Sequence, residues 1–183
     1  AIRYNIDPKL REEAMYNYVQ VTYLQNSALG ESITAFQTFI KEYPTSKYID
    51  KVYALMADMY LTCKNYHAAL EALLEIEKPN AKVQQTCLYL RYQLAADAFL
   101  QDKMSEVLKW TNEIITKEVV TSEYKTEAYY LSAQASYRLR QYQQTIENLE
   151  QYQQQPNSIQ SNNRKAAIYL KAYALFSQKK YAD

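Results

Sequence analysis

Few residues in this chain have side chains suited to catalysis or metal binding. Its 183 residues include one histidine, His67, and two cysteines, Cys63 and Cys87. Catalysis needs a positioned nucleophile, acid or metal. No Cys/His cluster has zinc spacing, and a single glycine cannot build a phosphate-cradling loop. His67 is expected at the start of a helix, as a surface or capping residue. Glu75, Glu77 and Glu150 fall toward helix ends on faces expected to meet water. The sequence therefore reads as that of a non-enzyme without a cofactor or bound metal. Cys63 is expected near the end of one helix and Cys87 near the start of the next equivalent one. Parallel helices would hold them about 20 Å apart at 1.5 Å per residue, beyond the ~7 Å a disulfide spans. Two free thiols are expected. The lone Trp110 reads as a packing residue between repeats, with an exposed docking anchor as the other reading.

Any functional side chain here must be positioned by helices. The chain has one glycine and four prolines, too few for the turns of an all-β or α/β fold. Charged residues make up 22%, a fraction compatible with a folded domain. Net charge is +1 with the signs interspersed. No Lys/Arg block tracks a phosphate backbone, so nucleic acid is not an expected partner. No apolar run approaches the ~20 residues of a membrane helix. No signal peptide or lipidation motif is visible. The chain begins at Ala1, so that absence carries no weight.

An internal repeat organises the chain. Leu29, Tyr66, Met104, Tyr142 and Tyr181 recur at spacings of 37, 38, 38 and 39. Val19, Ala57, Ala95, Ala133 and Ala172 form a second series spaced 38, 38, 38 and 39. Pro44, Pro79 and Pro156 fall where second helices should end, and the proline expected near Lys117-Glu118 is missing. Within a period the pattern is helix, short turn, helix. Tyr53, Met56, Ala57 and Tyr60 share one helix face, as do Ala69, Leu70, Leu73 and Ile76. Asn65 suits an N-cap in the intervening turn, and Asp7-Pro8 reads as the cap and first residue of the opening helix.

The unit Tyr53-x-x-Met56-Ala57-x-x-Tyr60, then Tyr66-x-x-Ala69 and Pro79, resembles a tetratricopeptide repeat. Ala133, Tyr137, Tyr142, Leu149 and Pro156 repeat it. The resemblance implies an all-α, right-handed solenoid of antiparallel helix pairs, with about four and a half repeats and about nine helices. It covers residues 1–183 as a single repeat domain, with repeats near 8–44, 45–80, 81–118, 119–157 and an incomplete 158–183. The period exceeds the usual 34 or so. Arg91 and Lys171 stand where the motif expects apolar residues, which points to a register slip or local irregularity. A closer likeness lies in Phe36-x-x-Phe39-x-x-x-Tyr43-Pro44-x-Ser46-x-Tyr48, which resembles repeat proteins of the Gram-negative envelope, of the barrel-assembly lipoprotein and Tol-associated types. It implies a periplasmic or outer-membrane setting, a cytoplasmic one being the alternative. A lone first helix in the fifth repeat would have its apolar stripe half covered. Continuing chain, or a partner that caps the face, would complete it.

In such stacks the first helices line a concave surface. The positions i, i+4 and i+7 on successive first helices are Tyr16/Gln20/Tyr23, Ala54/Asp58/Leu61, Tyr92/Ala96/Phe99, Tyr130/Gln134/Tyr137 and Tyr169/Tyr173/Phe176. The third position reads mainly as packing between helices. The expected partner-binding residues are Tyr16, Gln20, Asp58, Tyr92, Tyr130, Gln134, Tyr169 and Tyr173. A tyrosine-lined groove suits a peptide or a partner helix. The Lys/Asn set that holds a C-terminal carboxylate in chaperone-adaptor repeats does not recur, although Asn17 is present. The sequence thus predicts a protein–protein interaction scaffold of envelope assembly, with no nucleic acid, membrane span or small-molecule substrate. The alternatives are a sensory segment of a signalling protein and the docking arm of a multidomain enzyme. Replacing Tyr16, Tyr130 and Tyr169 by Ala is expected to spare folding and reduce partner capture.

Overall fold

The computed structural model describes residues 7–24, 29–116 and 123–178. Among them there are nine α-helices, one 3₁₀ turn and no strand. The helices are α1 (Pro8–Leu24), α2 (Leu29–Glu42), α3 (Ile49–Thr62), α4 (Tyr66–Leu74), α5 (Ala81–Leu100), α6 (Met104–Ile115), α7 (Glu123–Arg138), α8 (Tyr142–Gln154) and α9 (Arg164–Ser177). The 3₁₀ turn, Pro156–Ile159, precedes α9. Leu29, Tyr66, Met104 and Tyr142 each open a second helix, so the period is written into the helix boundaries. Tyr181 and the position of the missing proline lie outside the described residues, as does the Leu29 side chain.

Local chemistry explains where the helices start. Asp7 Oδ1 accepts the Lys9 N–H at 3.1 Å, and Pro8, which has no N–H to satisfy, opens α1. Asn65 Oδ1 accepts the Ala68 N–H at 3.2 Å, as its N-cap role predicts. Asn80 does the same for Val83 ahead of α5, at 3.0 Å.

Three described turns inside the hairpins share one backbone solution. Lys64, Asp102 and Arg140 have φ of 56°, 59° and 59° and stand 38 residues apart. Each is followed by an N–H that reaches five residues back. Asn65 donates to the Tyr60 carbonyl at 2.8 Å, Lys103 to Ala98 at 2.9 Å, and Gln141 to Ser136 at 2.9 Å. The left-handed residues themselves donate to Leu61, Phe99 and Tyr137, three residues back. This pair of bonds is the Schellman motif, which satisfies carbonyls left over at a helix end. Glycine usually fills its left-handed position, and here three residues with a Cβ do so.

The chain divides into two compact units, Ala1–Val83 and Gln84–Asp183. In the first, Met15, Tyr16 and Val19 of α1 meet Ala35, Phe36 and Phe39 of α2 and Val52 and Met59 of α3. Complete burial of Phe36 and Phe39 is worth roughly 1.5–3 kcal/mol for each side chain. Ala57 is buried on α3, and Ala69, Leu70, Leu73 and Ile76 form the buried side of α4 and the turn after it. In the second unit, Ala95 and Ala98 pack with Met104 and Val107 of α6 and Leu131 and Ala135 of α7. Tyr130 and Ala133 of α7 pack with Leu149 and Tyr152 of α8 and Ala167 of α9.

The alanine series holds at Ala57, Ala95 and Ala133, all buried, and fails at Ala172, which is exposed. On α9 the residues turned inward are Ala167 and Ala174, because this helix packs mainly on α8 and least on α7. Lys171 is half-buried beside α8, with its Nζ 3.0 Å from Glu150 Oε1. Arg91 is also explained by pairing. It is buried, and its Nε donates to Glu113 Oε2 of α6 at 2.9 Å. Both cations thus occupy apolar-type positions by meeting a carboxylate on a second helix.

The left-handed turns generate a stability prediction. A residue with a Cβ costs roughly 1–2 kcal/mol there relative to glycine, and glycine gives back about 0.4–1 kcal/mol through the unfolded chain. Lys64→Gly and Arg140→Gly should each raise stability by up to about 1 kcal/mol in urea unfolding, net of these two effects. Cys63→Gly, one residue earlier at negative φ, should lower it.

Candidate functional site

The structure sorts the expected groove residues into packed and open ones. In the first unit Tyr16 is 8% exposed and lies flat on Tyr48, with ring centroids 4.2 Å apart and planes 5° off parallel. Its edge meets Phe39 at 6.1 Å. Gln20 is half-buried and Asp58 exposed. The Asp58 carboxylate accepts the Tyr23 hydroxyl, which ties α1 to α3. That bond is the main reason the Tyr23 phenol pKa is raised, with burial second.

In the second unit Tyr130 is also 8% exposed. It packs against Tyr152 at 5.8 Å, and its hydroxyl accepts from Gln134 Nε2 at 3.3 Å. Tyr92 is half-buried beside Tyr124, 5.9 Å away. Tyr169 and Tyr173 are 66% and 59% exposed, with Ile168 at 54% and Phe176 at 66%. One turn separates Tyr169 from Tyr173, so they form the open aromatic part of the expected set. Tyr16 and Tyr130 are core residues by comparison. The expectation that their joint loss with Tyr169 spares folding does not survive their burial, because an alanine would leave a cavity at each.

Sequence reasoning missed a recurrent polar tie at the turns between repeats. Ser46 donates from Oγ to Glu12 Oε1 of α1 at 2.5 Å. Ser161 donates to Glu127 Oε1 of α7 at 2.6 Å. Each serine stands 34 residues after its carboxylate and three residues before the next first helix. Each also accepts the N–H two residues on, from Tyr48 at 3.0 Å and Asn163 at 3.1 Å. The turn therefore holds its shape and is anchored to a helix through one hydroxyl. Asn163 Nδ2 adds a second donor to Glu127, at 2.6 Å from Oε2. The available signal was the pair Ser46 and Tyr48, present in the motif but lacking an assigned role.

The remaining chemical candidates have structural places. His67 is exposed, with Nδ1 3.3 Å from Glu71 one turn on. Trp110 is half-buried against the cluster of α5, α6 and α7, with the Lys109 ammonium 4.6 Å over its ring. Cys63 is an exposed free thiol and Cys87 a buried one. Among the described residues no group of three His, Cys, Asp or Glu is arranged to hold a metal ion. No described helix is long and apolar enough to cross a membrane.

Fold and site together define an all-helical protein built from repeated helix hairpins. No family model and no curated protein matches the chain. Among solved structures it is similar to the MamA RS-1 ArsTM double mutant, at 12% identity over 93% of this chain and 96% of that one, with a TM-score of 0.42. It is also similar to two structures of a Podosopora anserina kinesin light chain with nearly identical TPR-like repeats. One is 14% identical over 96% of this chain and 90% of that one, with a TM-score of 0.40. The other is 15% identical over 93% and 88%, with a TM-score of 0.39.

Two predictions follow from the burial of the tyrosines. Tyr16→Ala should destabilise the chain by about 3 kcal/mol or more, whereas Tyr169→Ala should stay within about 0.5 kcal/mol; urea unfolding of the two variants checks this. The phenols of Tyr16, Tyr53, Tyr92, Tyr124, Tyr130 and Tyr152 are all raised above 10.0, chiefly by burial. The folded chain therefore binds more protons than the unfolded one near and above that pH. Their stabilising contribution is complete below pH 10 and is lost as pH rises through the folded values. The urea midpoint should be lower at about pH 10.5 than at about pH 8.

Proposed function

We propose that this chain is a non-catalytic scaffold of the tetratricopeptide type that binds protein through the first-helix side of its repeats. The observation that carries this reading is the recurrence of helix hairpins on the sequence period, whose second helices open at Leu29, Tyr66, Met104 and Tyr142, and the open aromatic residues of α9 supply its test. Tyr169 and Tyr173 expose well over half of their surface at the register where the sequence places partner-facing residues. Phe176 extends the face along the helix, and exposed Ile168 flanks it. Exposed aromatic groups concentrated on one helix face are a common mark of a binding surface. Tyrosine adds a large contact area with few rotors to immobilise. The half-buried Tyr92 and Gln134 stand at the matching register on α5 and α7.

We place its work in the Gram-negative envelope on the Phe36-to-Tyr48 likeness alone. Five of the six residues carrying that likeness have a packing or bonding role here. Phe36 and Phe39 are core, Tyr43 packs on Phe39 at 5.3 Å, Ser46 ties the turn to α1, and Tyr48 stacks on Tyr16. The likeness is thus explained by the turn between repeats, and fractionation of the native source tests the location separately. Recovery of the protein with cytoplasmic markers alone would remove the envelope assignment.

The scaffold reading is tested by affinity capture from the native source with the wild-type chain and with Tyr169→Ala/Tyr173→Ala. The double variant should keep its helical circular dichroism and melting temperature while losing most of the captured partner. Undiminished capture by the folded double variant would sink the reading.

A further inference from the structure

The charge of α9 is unlike that of the other described helices. Each of α1 to α8 carries at least one Asp or Glu, whereas the chain from Gln151 through Ser177 has none. The helix itself carries Arg164, Lys165 and Lys171. Lys171 is paired with Glu150 at 3.0 Å. Arg164 and Lys165 are exposed, and neither enters an ion pair among the described residues.

Both cations stand in the first turn, where a helix favours negative charge. The usual remedies at a helix start are missing. That turn holds no acidic residue, and Asn163, in the N-cap position, makes no side-chain capping bond. Its Nδ2 donates instead to Glu127 Oε2, and Ser161 takes the other oxygen of that carboxylate. One turn after Arg164 stands exposed Ile168, and one turn after Lys165 stands Tyr169, followed by Tyr173. The two cations thus open adjacent rows of apolar and aromatic side chains on one side of the helix. Arg164 and Ile168 also line, with Ile159, a recess of about 190 Å³. The rules for a helix start are broken where the helix is also open, which is the pattern of a functional site.

We propose that the open side of α9 docks an acidic amphipathic helix of the partner protein, an inference that rests on the scaffold reading above. Carboxylates of that helix meet Arg164, Lys165 and the uncapped first turn, and its apolar residues lie over Ile168, Tyr169 and Tyr173. From Arg164 to Tyr173 the stripe runs about 14 Å at 1.5 Å per residue, enough for the spaced anchors of a docked helix. A basic partner is disfavoured, because no carboxylate of α9 could receive it. A second α9 would bring its own cations onto these. Segments that read anionic lipid carry about four to eight clustered cations, and α9 offers two unpaired ones in 14 residues.

The test is selection on the immobilised chain from a phage-displayed library of random peptides about four helical turns long, with the enriched peptides then titrated in solution. They are expected to combine Asp or Glu with Leu, Ile or Phe at helical spacing. Arg164→Glu/Lys165→Glu should bind them about tenfold or more weakly, attraction having become repulsion at both positions. This variant has carboxylates where the helix start favours them, so its melting temperature should hold or rise. Enrichment of basic or uncharged peptides, no enrichment, or equal binding by the charge-reversed variant would each overturn the acidic partner. So would binding of the chain to phosphatidylglycerol vesicles and to no peptide, or self-association that Tyr169→Ala/Tyr173→Ala abolishes. Uncharged peptides that bind the wild-type chain and lose Tyr169→Ala/Tyr173→Ala would remove the acidic partner and leave the scaffold reading standing. The scaffold reading falls separately, on undiminished capture from the native source.

Discussion

A first helix in this chain has to be covered on several sides at once, and that requirement governs its sequence. α7 packs against α6, α8 and α9 and buries Thr126, Ala128, Tyr130, Leu131, Ser132, Ala133, Ala135 and Ser136. Buried residues surround most of α7, and the one side left to water is polar, carrying Glu123, Glu127, Gln134 and Arg138. Small side chains make the crowding possible, and several of the small polar ones satisfy their hydroxyls, while buried Ser136 Oγ has no hydrogen-bond partner. Ser132 accepts from Asn148 Nδ2 of α8 at 3.0 Å. Buried Thr111 and Thr145 donate to carbonyls one turn back, at 2.8 and 3.0 Å. A hairpin that cannot cover its own first helix depends on its neighbours for stability.

The same requirement explains how far the sequence was legible. Where a residue's place is set by its period, reading worked: the second helices open at Tyr66, Met104 and Tyr142, and Ala57, Ala95 and Ala133 are buried as their spacing predicts. Asn65 was legible because capping is local chemistry. Ala172 was misread because its register depends on what lies on either side of α9, and period alone carries no information about neighbours. Arg91 looked like an irregularity because its partner, Glu113, is on another helix.

The candidate site was harder to read for a related reason. Tyr16, Tyr130 and Tyr169 share a residue type and a register, yet two are packed and one is open. Tyr16 is covered by Tyr48 from the following turn and Tyr130 by Tyr152 from the following helix. The covering residue lies 32 positions onward in one case and 22 in the other. Helix periodicity extends over one helix, so it identifies which residues share a face and leaves open what lies over that face. The Ser46–Glu12 and Ser161–Glu127 ties escaped for the same reason, each joining residues 34 positions apart.

The hairpin turns have a different freedom. Their geometry is fixed by main-chain bonds from Asn65, Lys103 and Gln141, and the residues at the left-handed position are a lysine, an aspartate and an arginine. The side chains there have no common task in making the bend. The surface at each of these turns can therefore exchange one sign of charge for the other over evolutionary time while the helices beneath keep their places, so its electrostatic character is free to follow whatever surface it meets.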